Sequence, residues 1–162
     1  MTASLHSTMP DTFQPIESYL PHRPPMLLLS SVLRCDEDSL SALGEVDGTA
    51  WYADTLGRMP AWIGIELMAQ AVAAHIGVLA SKGHRAARPG ALLGSQHYVM
   101  HQAAFVSAAP LEIQVTSILS GESGHSAYAC RVMEGAVCAA EAIIKVYQPD
   151  DFSAFLEGRI ET

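Results

Sequence analysis

A single carboxylate lies inside the most apolar segment of this chain. The segment follows Pro60 and runs to about Lys82, and Glu66 is its only acidic residue. Removing an unpaired carboxylate from water is costly, so a residue in this position usually has a chemical use. Burial favours the protonated form of a carboxyl group, and a general acid must carry a proton near neutral pH. Glu66 is therefore the first candidate catalytic residue; the alternative is a structural carboxylate that bonds to Gln70, one helical turn later.

The histidines and cysteines do not indicate a metal site. His97 and His101 are four residues apart, but their surroundings predict a strand, in which such positions lie about 13 Å apart. Cys35, Cys130 and Cys138 are odd in number and lack the Cys-x-x-Cys spacing of zinc sites and redox motifs. We interpret them as free thiols of a reducing compartment, and we expect neither a metal nor another cofactor.

Length, composition and charge narrow the class of protein. A chain of 162 residues with 49% hydrophobic and 16% charged residues is expected to form one domain with a substantial core. The low charged fraction also indicates that another subunit covers part of the apolar surface. The formal net charge of −8 argues against nucleic acid and anionic membrane as partners.

Targeting signals and membrane spans are not indicated either. The N-terminus lacks a basic stretch followed by an apolar run, so no signal peptide is predicted. The apolar segment approaches membrane-spanning length, but Glu66, Gln70 and His75 interrupt it. We therefore expect the buried helix of a cytoplasmic protein, with His75 as a hydrogen-bonded core residue.

The hydrophobic pattern predicts an α+β domain built on that helix. Pro60 is well suited to precede a helix, and Gly83 is a plausible stop signal. One helical face is expected to be apolar and another to carry small side chains. The apolar face comprises Ile63, Leu67, Ala71, Ala74 and Val78, and the small face comprises Ala69, Ala73, Gly77 and Ala80. Strands are predicted at 26–33, 39–46, 91–102, 111–119, 126–133 and 136–147, and tight turns join the last three into a meander.

The rest of the chain is expected to be peripheral. One helical turn is predicted at 16–20 and a short helix after residue 149. We divide the chain into a flexible N-terminus at 1–15, a domain at 16–148 and a C-terminal tail at 149–162. The simplest packing wraps the antiparallel sheet around the one long central helix.

This order of elements resembles the hot-dog fold, and two motifs narrow the resemblance. Residues 20–23 read Leu-Pro-His-Arg and look like the opening of the β-hydroxyacyl-ACP dehydratases of fatty-acid synthesis. Residues 66–71 read Glu-Leu-Met-Ala-Gln-Ala and look like the start of their central helix. The form Pro-Ala-Trp-x-Gly-x-Glu-Leu-Met-Ala-Gln at 60–70 looks most like the dehydratase-like proteins of aryl-polyene biosynthesis. The resemblance covers roughly residues 16–148.

The resemblance implies that the chain removes water from a 3-hydroxyacyl group held as a thioester. This reaction needs a base for the C2 proton, an acid for the departing hydroxyl and donors for charge on the thioester oxygen. In the family a histidine is the base and a helix carboxylate from the other subunit of a dimer handles the hydroxyl; Glu66 matches that carboxylate. The expected oxyanion and substrate-binding groups are the backbone N–H groups of Ala61, Trp62 and Ile63 at the helix start, together with Gln70.

The histidine of the family pattern is missing. The family carries it in a Gly-His-Phe-Pro stretch fourteen residues before the glutamate, where this chain has Tyr52, and no histidine lies between His22 and His75. Because a phenol is a weak base at neutral pH, three explanations remain open. A different hot-dog chain supplies the base in a heterodimer; His22, Tyr52 or Asp54 replaces it in a homodimer; or the chain has lost catalysis and keeps only acyl binding. We favour the first, because retaining a buried carboxylate without a chemical use is costly.

The acyl group is expected to arrive on acyl carrier protein or on coenzyme A. Acyl carrier protein is acidic, as this chain is, so its docking needs a basic surface; the available residues are Arg23, Arg58, Lys82, Arg85 and Arg88. An acyl thioesterase is the alternative enzyme, because hot-dog thioesterases also use a helix carboxylate. A catalytically inactive partner that stabilises an active subunit is the alternative without enzyme activity.

Overall fold

The long apolar segment forms a helix that packs across a six-stranded antiparallel sheet. The computed structural model describes residues 12–84, 86–106 and 110–159. The main helix α1 spans Gly64–Lys82, a short helix α2 spans Phe152–Leu156, and 3-10 turns cover Ile16–Ser18 and Ala61–Ile63. The strands are β1 (Leu29–Cys35), β2 (Ser39–Gly44), β3 (Met59–Pro60), β4 (Ala91–Met100), β5 (Ala104–Phe105), β6 (Leu111–Ser120), β7 (His125–Glu134) and β8 (Val137–Tyr147). This is the α+β architecture that the hydrophobic pattern predicted, with the sheet packed on one long central helix.

The sheet has the strand order β1-β2-β6-β7-β8-β4, and every neighbouring pair is antiparallel. Strands β6, β7 and β8 form the predicted meander. Strand β4 follows the helix and pairs with β8, so β4 and β1 are the two edges of the sheet. The outer side of an edge strand carries backbone groups that can pair with another chain. A separate two-stranded sheet joins β3 to β5 just before the helix begins.

The predicted helix faces are confirmed. The five residues of the apolar face are each at most 2% exposed: Ile63, Leu67, Ala71, Ala74 and Val78. On the face of small side chains, a Cβ at Gly77 would lie 2.5 Å from the carbonyl oxygen of Tyr19. The N-terminal segment therefore lies closer to the helix than it could if position 77 held any residue other than glycine.

The helix is the core of a folded domain. By length and composition Ala61–Lys82 could cross a membrane, but 61% of the apolar window is buried inside the fold. His75 is 1% exposed, and its ring nitrogens lie 3.1 Å from the Tyr128 hydroxyl and 3.1 Å from the Asp36 carbonyl oxygen. A buried ring with both nitrogens bonded is stable in a core, which confirms the interpretation of His75 from the sequence.

Some element boundaries differ from prediction for local reasons. Strand β1 begins at Leu29 and not at residue 26, because the backbone of Met26 and Leu28 bonds to the Gln70 side chain. Strands β3 and β5 were not predicted, since two residues are too few to show an alternating pattern. The flexible segment predicted at the N-terminus lies, for residues 1–11, outside the described residues.

Candidate active site

Glu66 lies in the first turn of α1, and a hydrogen bond fixes its carboxylate. Gln70 Nε2 donates to Glu66 Oε1 at 2.8 Å. The positive end of the helix dipole favours an acidic side chain at this position. The Glu66 side chain is nevertheless 34% exposed, so it lies at the boundary of the protomer and not in its dry interior. The expectation of a fully buried carboxylate is therefore not met within one protomer.

Gln70 connects the helix to the segment that follows the Leu-Pro-His-Arg motif. It is fully buried, its Nε2 also donates to the Met26 carbonyl at 2.7 Å, and its Oε1 accepts from the Leu28 N–H at 2.9 Å. Both amide hydrogens are thus used inside the protomer. We predicted Gln70 as a substrate-binding residue; the contact that it makes in the site is its hydrogen bond to Glu66.

His22 is the other candidate that the fold brings to Glu66. Its Nε2 atom lies 3.6 Å from Glu66 Oε1. The Arg23 guanidinium holds the loop in place by donating to the carbonyl oxygens of Leu20 at 2.8 Å and His22 at 2.7 Å. The Nδ1 atom of His22 is buried and has no hydrogen-bond partner among the described residues. At this distance the two side chains interact electrostatically without a direct hydrogen bond.

A cavity of about 440 Å³ opens beside Glu66 and His22. Its wall is formed by one face of α1, by the N-terminal segment around the first 3-10 turn, and by the residues that lead into β4. Most of the side chains are small or apolar; they include Ala69, Val72, Ala73, Ile76, Leu92 and Val146. A largely apolar pocket whose wall includes a few polar groups is suited to an acyl chain that carries a reacting group.

The helix start offers fewer donors than the sequence suggested. The Ala61 N–H donates to the Ala103 carbonyl oxygen at 3.0 Å, so it is not available to a thioester. The N–H groups of Trp62 and Ile63 remain candidates, because the first residues of a helical segment lack acceptors in the preceding turn. The Trp62 side chain is 58% exposed, so solvent reaches this part of the helix start.

Tyr52 and Asp54, the remaining candidate bases, are engaged in the loop before β3. Tyr52 is 8% exposed, and its hydroxyl accepts a hydrogen bond from the Asp47 N–H at 2.9 Å. The Asp54 carboxylate accepts bonds from the Arg58 N–H, from the Arg58 guanidinium and from the Leu56 N–H, and these donors lower the pKa of Asp54. Neither side chain lines the cavity. The geometry therefore favours neither of them as the replacement for the missing histidine.

One group of possible metal ligands lies away from the cavity. Within the described residues, the donor atoms of His101, Cys138 and Glu141 are all within 4.8 Å of one another; His97 is not part of this group. The Arg131 guanidinium lies 3.7 Å from Glu141, and burial raises the pKa of the Cys138 thiol. A cation beside the carboxylate and a thiol that resists ionisation both disfavour a divalent ion.

Tyr98 is a residue near the site that sequence reasoning did not identify. It belongs to β4, and its hydroxyl donates to the carbonyl oxygen of Ala61 at the start of the helix. An aromatic residue in a strand gives no signal of such a contact, because its direction depends on the local register of the strand.

The fold and the site together define a hot-dog protein with a glutamate of its central helix beside an apolar cavity. Residues 14–157 match the model of the ApeP-like family, described as ApeP dehydratase. The chain therefore belongs to the ApeP-like dehydratase family, which confirms the resemblance seen in the sequence. No curated protein matches the chain in a sequence comparison.

Solved structures share the fold. A chain of "The Dehydratase Heterocomplex ApeI:P from Xenorhabdus doucetiae" matches with a TM-score of 0.84 and 23% identity, over 93% of this chain and 100% of that chain. AziG from S. sahachiroi matches with a TM-score of 0.58 and 14% identity, over 75% of this chain and 90% of that one. A mutant of the thioesterase PA1618 from Pseudomonas aeruginosa matches with a TM-score of 0.53 and 13% identity, over 74% of this chain and 79% of that one. At these identities the likeness establishes the common fold.

Proposed function

We propose that this chain is the glutamate-bearing subunit of a 3-hydroxyacyl thioester dehydratase, with the acyl group carried by acyl carrier protein. The observation that carries the proposal is the Glu66 carboxylate, which accepts a hydrogen bond from Gln70 and lines a largely apolar cavity of about 440 Å³. Membership of the ApeP-like dehydratase family supports the reaction type. A cytoplasmic location, which the cysteine content suggested, is part of the same proposal.

The proposed reaction is an elimination across C2 and C3 of the acyl chain. A base takes the C2 proton, the electron pair of that bond forms the C2–C3 double bond, and the C3 hydroxyl leaves with a proton from Glu66 as water. We assign stabilisation of the negative charge that develops on the thioester oxygen to the N–H groups of Trp62 and Ile63, which lie at the helix start outside the cavity wall, so that the thioester lies at the helix start and the acyl chain in the cavity. The apolar wall of the cavity orients the acyl chain so that its C3 atom lies next to the Glu66 carboxyl group.

We assign the base to a partner chain and not to His22. An acid and a base that act on neighbouring carbons must have the substrate between them, whereas His22 lies 3.6 Å from Glu66. His22 is better suited to hold the charge of the carboxylate once it has given up its proton. The relative from Xenorhabdus doucetiae belongs to a complex that is named a dehydratase heterocomplex, which supports a second hot-dog chain of the ApeI type as the source of the base.

Two exposed apolar surfaces support a partner close to Glu66. Strand β4 leaves Leu92, Leu93, Val99 and Met100 between 41% and 51% exposed along its open edge. A second set lies near the helix start and the segment bonded to Gln70, where Met26, Trp51 and Trp62 are between 45% and 58% exposed. Apolar patches of this kind on a chain with few charges favour coverage by another subunit, and such coverage would also remove Glu66 from water.

The deciding experiment compares this chain alone, an ApeI-type hot-dog partner alone, and the purified complex on a 3-hydroxyacyl carrier protein. Mass spectrometry of the acyl group distinguishes loss of one water from release of the free acid and from no reaction. We expect water loss that requires Glu66: Glu66→Gln should abolish it in a complex that still assembles. Glu122→Gln, at an exposed turn far along the chain, is the matched control.

Each outcome has a definite meaning for the proposal. Free acid would identify a thioesterase, and full turnover by Glu66→Gln would remove the carboxylate from the mechanism. If the partner alone shows full turnover and addition of this chain does not change it, this chain is a catalytically inactive subunit.

A further inference from the structure

Tyr98 reaches the start of the catalytic helix from the open edge strand of the sheet. Most residues of β4 are exposed, whereas Tyr98 packs against the core and donates its hydroxyl to the Ala61 carbonyl oxygen. Burial raises the pKa of Tyr98 to about 12, so the hydroxyl keeps its proton and acts as a donor throughout the neutral range.

A bulge in β4 gives Tyr98 this direction. Between Gln96 and Val99 the strand advances three residues while its partner β8 advances two, from Ile143 to Glu141. His97, inside the bulge, has a φ of 52°, which is uncommon for a residue other than glycine. A bulge turns the side chains that follow it, and such bulges are frequent beside functional sites. The unusual backbone conformation of His97 therefore belongs to the bulge that points Tyr98 toward the helix.

Gly64 provides the space that the tyrosine occupies. A Cβ at Gly64 would approach Tyr98 Oη to less than 3.0 Å, which real Cβ atoms essentially never show. Ala61 is at the same time bonded through its N–H to the Ala103 carbonyl oxygen. The two polar groups of the Ala61 backbone are thus held from two directions, one by the segment before β5 and one by β4.

We propose that Tyr98 is a positioning residue for the proposed dehydration: it fixes the first turn of the helix, and with it the Trp62 and Ile63 N–H groups and Glu66. The inference rests on the proposed function but names a residue that acts through the helix start, since the Tyr98 hydroxyl is bonded to the Ala61 carbonyl oxygen. Tyr98 belongs to β4, an edge strand with exposed apolar side chains, so a partner that covers this strand would contact the element that holds the helix start.

The test compares Tyr98→Phe with Tyr128→Phe in the assembled complex. Both tyrosines are buried enough for their pKa to be raised to about 12, and both hydroxyls have a partner within the protein. Tyr128 bonds to His75, far along the helix from Glu66, so its variant controls for loss of a buried hydroxyl. We expect Tyr98→Phe to lower kcat about tenfold with KM within about twofold, and Tyr128→Phe to leave both nearly unchanged.

Hydrogen–deuterium exchange supplies a readout that does not need the reaction. Tyr98→Phe should speed exchange of the peptide that covers residues 61–68, and Tyr128→Phe should not. Equal exchange in the two variants, or a kcat for Tyr98→Phe within about twofold of the wild type, would overturn the positioning role. If the wild-type complex itself shows no water loss, the proposed function fails, while the exchange comparison still decides whether Tyr98 fixes the helix start.

Discussion

Replacing Gly64 with alanine should destabilise the fold only while Tyr98 keeps its hydroxyl. The added Cβ would approach Tyr98 Oη to less than 3.0 Å. The next nearest atoms, Cζ of Tyr98 and Cζ of Phe105, would both be 3.4 Å away, which is ordinary van der Waals contact. The hydroxyl is therefore the steric obstacle, and Tyr98→Phe removes it without changing the ring.

The size of the effect follows from two opposing contributions. Overpacking of a buried site costs about 1–3 kcal/mol, whereas alanine stabilises a helix by about 0.5–1 kcal/mol relative to glycine. In the wild-type background we expect Gly64→Ala to lower the free energy of unfolding by about 1–2 kcal/mol. In the Tyr98→Phe background the same substitution should be neutral or stabilise by up to about 1 kcal/mol. The coupling free energy between the two positions is then about 2 kcal/mol.

Urea unfolding of the wild type, both single variants and the double variant measures this coupling. Gly77→Ala is the matched control, because its Cβ would lie 2.5 Å from the carbonyl oxygen of Tyr19, an atom that Tyr98→Phe leaves in place. We expect the cost of Gly77→Ala to be the same in both backgrounds. If Gly64→Ala also costs the same with and without the hydroxyl, the packing argument is refuted.

Three further predictions concern the polar groups of the helix and the mouth of the cavity. Gln70→Leu leaves the buried Leu28 N–H and the partly buried Met26 carbonyl oxygen without this partner, so it should lower the free energy of unfolding by about 1–3 kcal/mol in urea titration. Burial lowers the pKa of His75 from 6.5, so below pH 6.5 the unfolded chain binds a proton that the folded ring does not. As the pH falls below 6.5, stability should fall by up to about 1.4 kcal/mol per pH unit until the folded ring titrates. His75→Gln should reduce this slope, and an equal slope in the variant and the wild type would contradict the argument. Arg88, which lines the cavity and pairs with the exposed Asp150, should contribute to carrier docking, so Arg88→Glu should weaken binding of acyl carrier protein in a titration; unchanged affinity would exclude this surface.

The sequence predicted those features that depend on one continuous segment. The apolar face of α1 repeats over nineteen residues, and the β6–β8 meander alternates over three long strands, so both gave strong periodic signals. The strands β3 and β5 are two residues long and exist because distant segments meet. Such contacts leave no pattern in either segment alone.

The site was predictable to a similar extent. Glu66 stood out because a lone carboxylate in an apolar helix is unusual, and its neighbour Gln70 followed from helical spacing. The positions of His22 and Tyr98 depend on loop geometry and on a strand bulge, which local sequence does not specify. The engagement of the Ala61 N–H by Ala103 is likewise a tertiary contact, so the number of available oxyanion donors was overestimated.

The polar contacts that hold α1 and the side chains that shape the cavity are different sets of residues. Gln70 and His75 make the hydrogen bonds that tie the helix to its surroundings, whereas Ala69, Ala73 and Ile76 line the cavity with apolar side chains that make no hydrogen bonds. Related chains can therefore enlarge or shorten the binding space by exchanging those three side chains while the glutamate stays where it is. If the proposed function holds, acyl-length preference becomes a property that selection, or an engineer, can tune independently of Glu66.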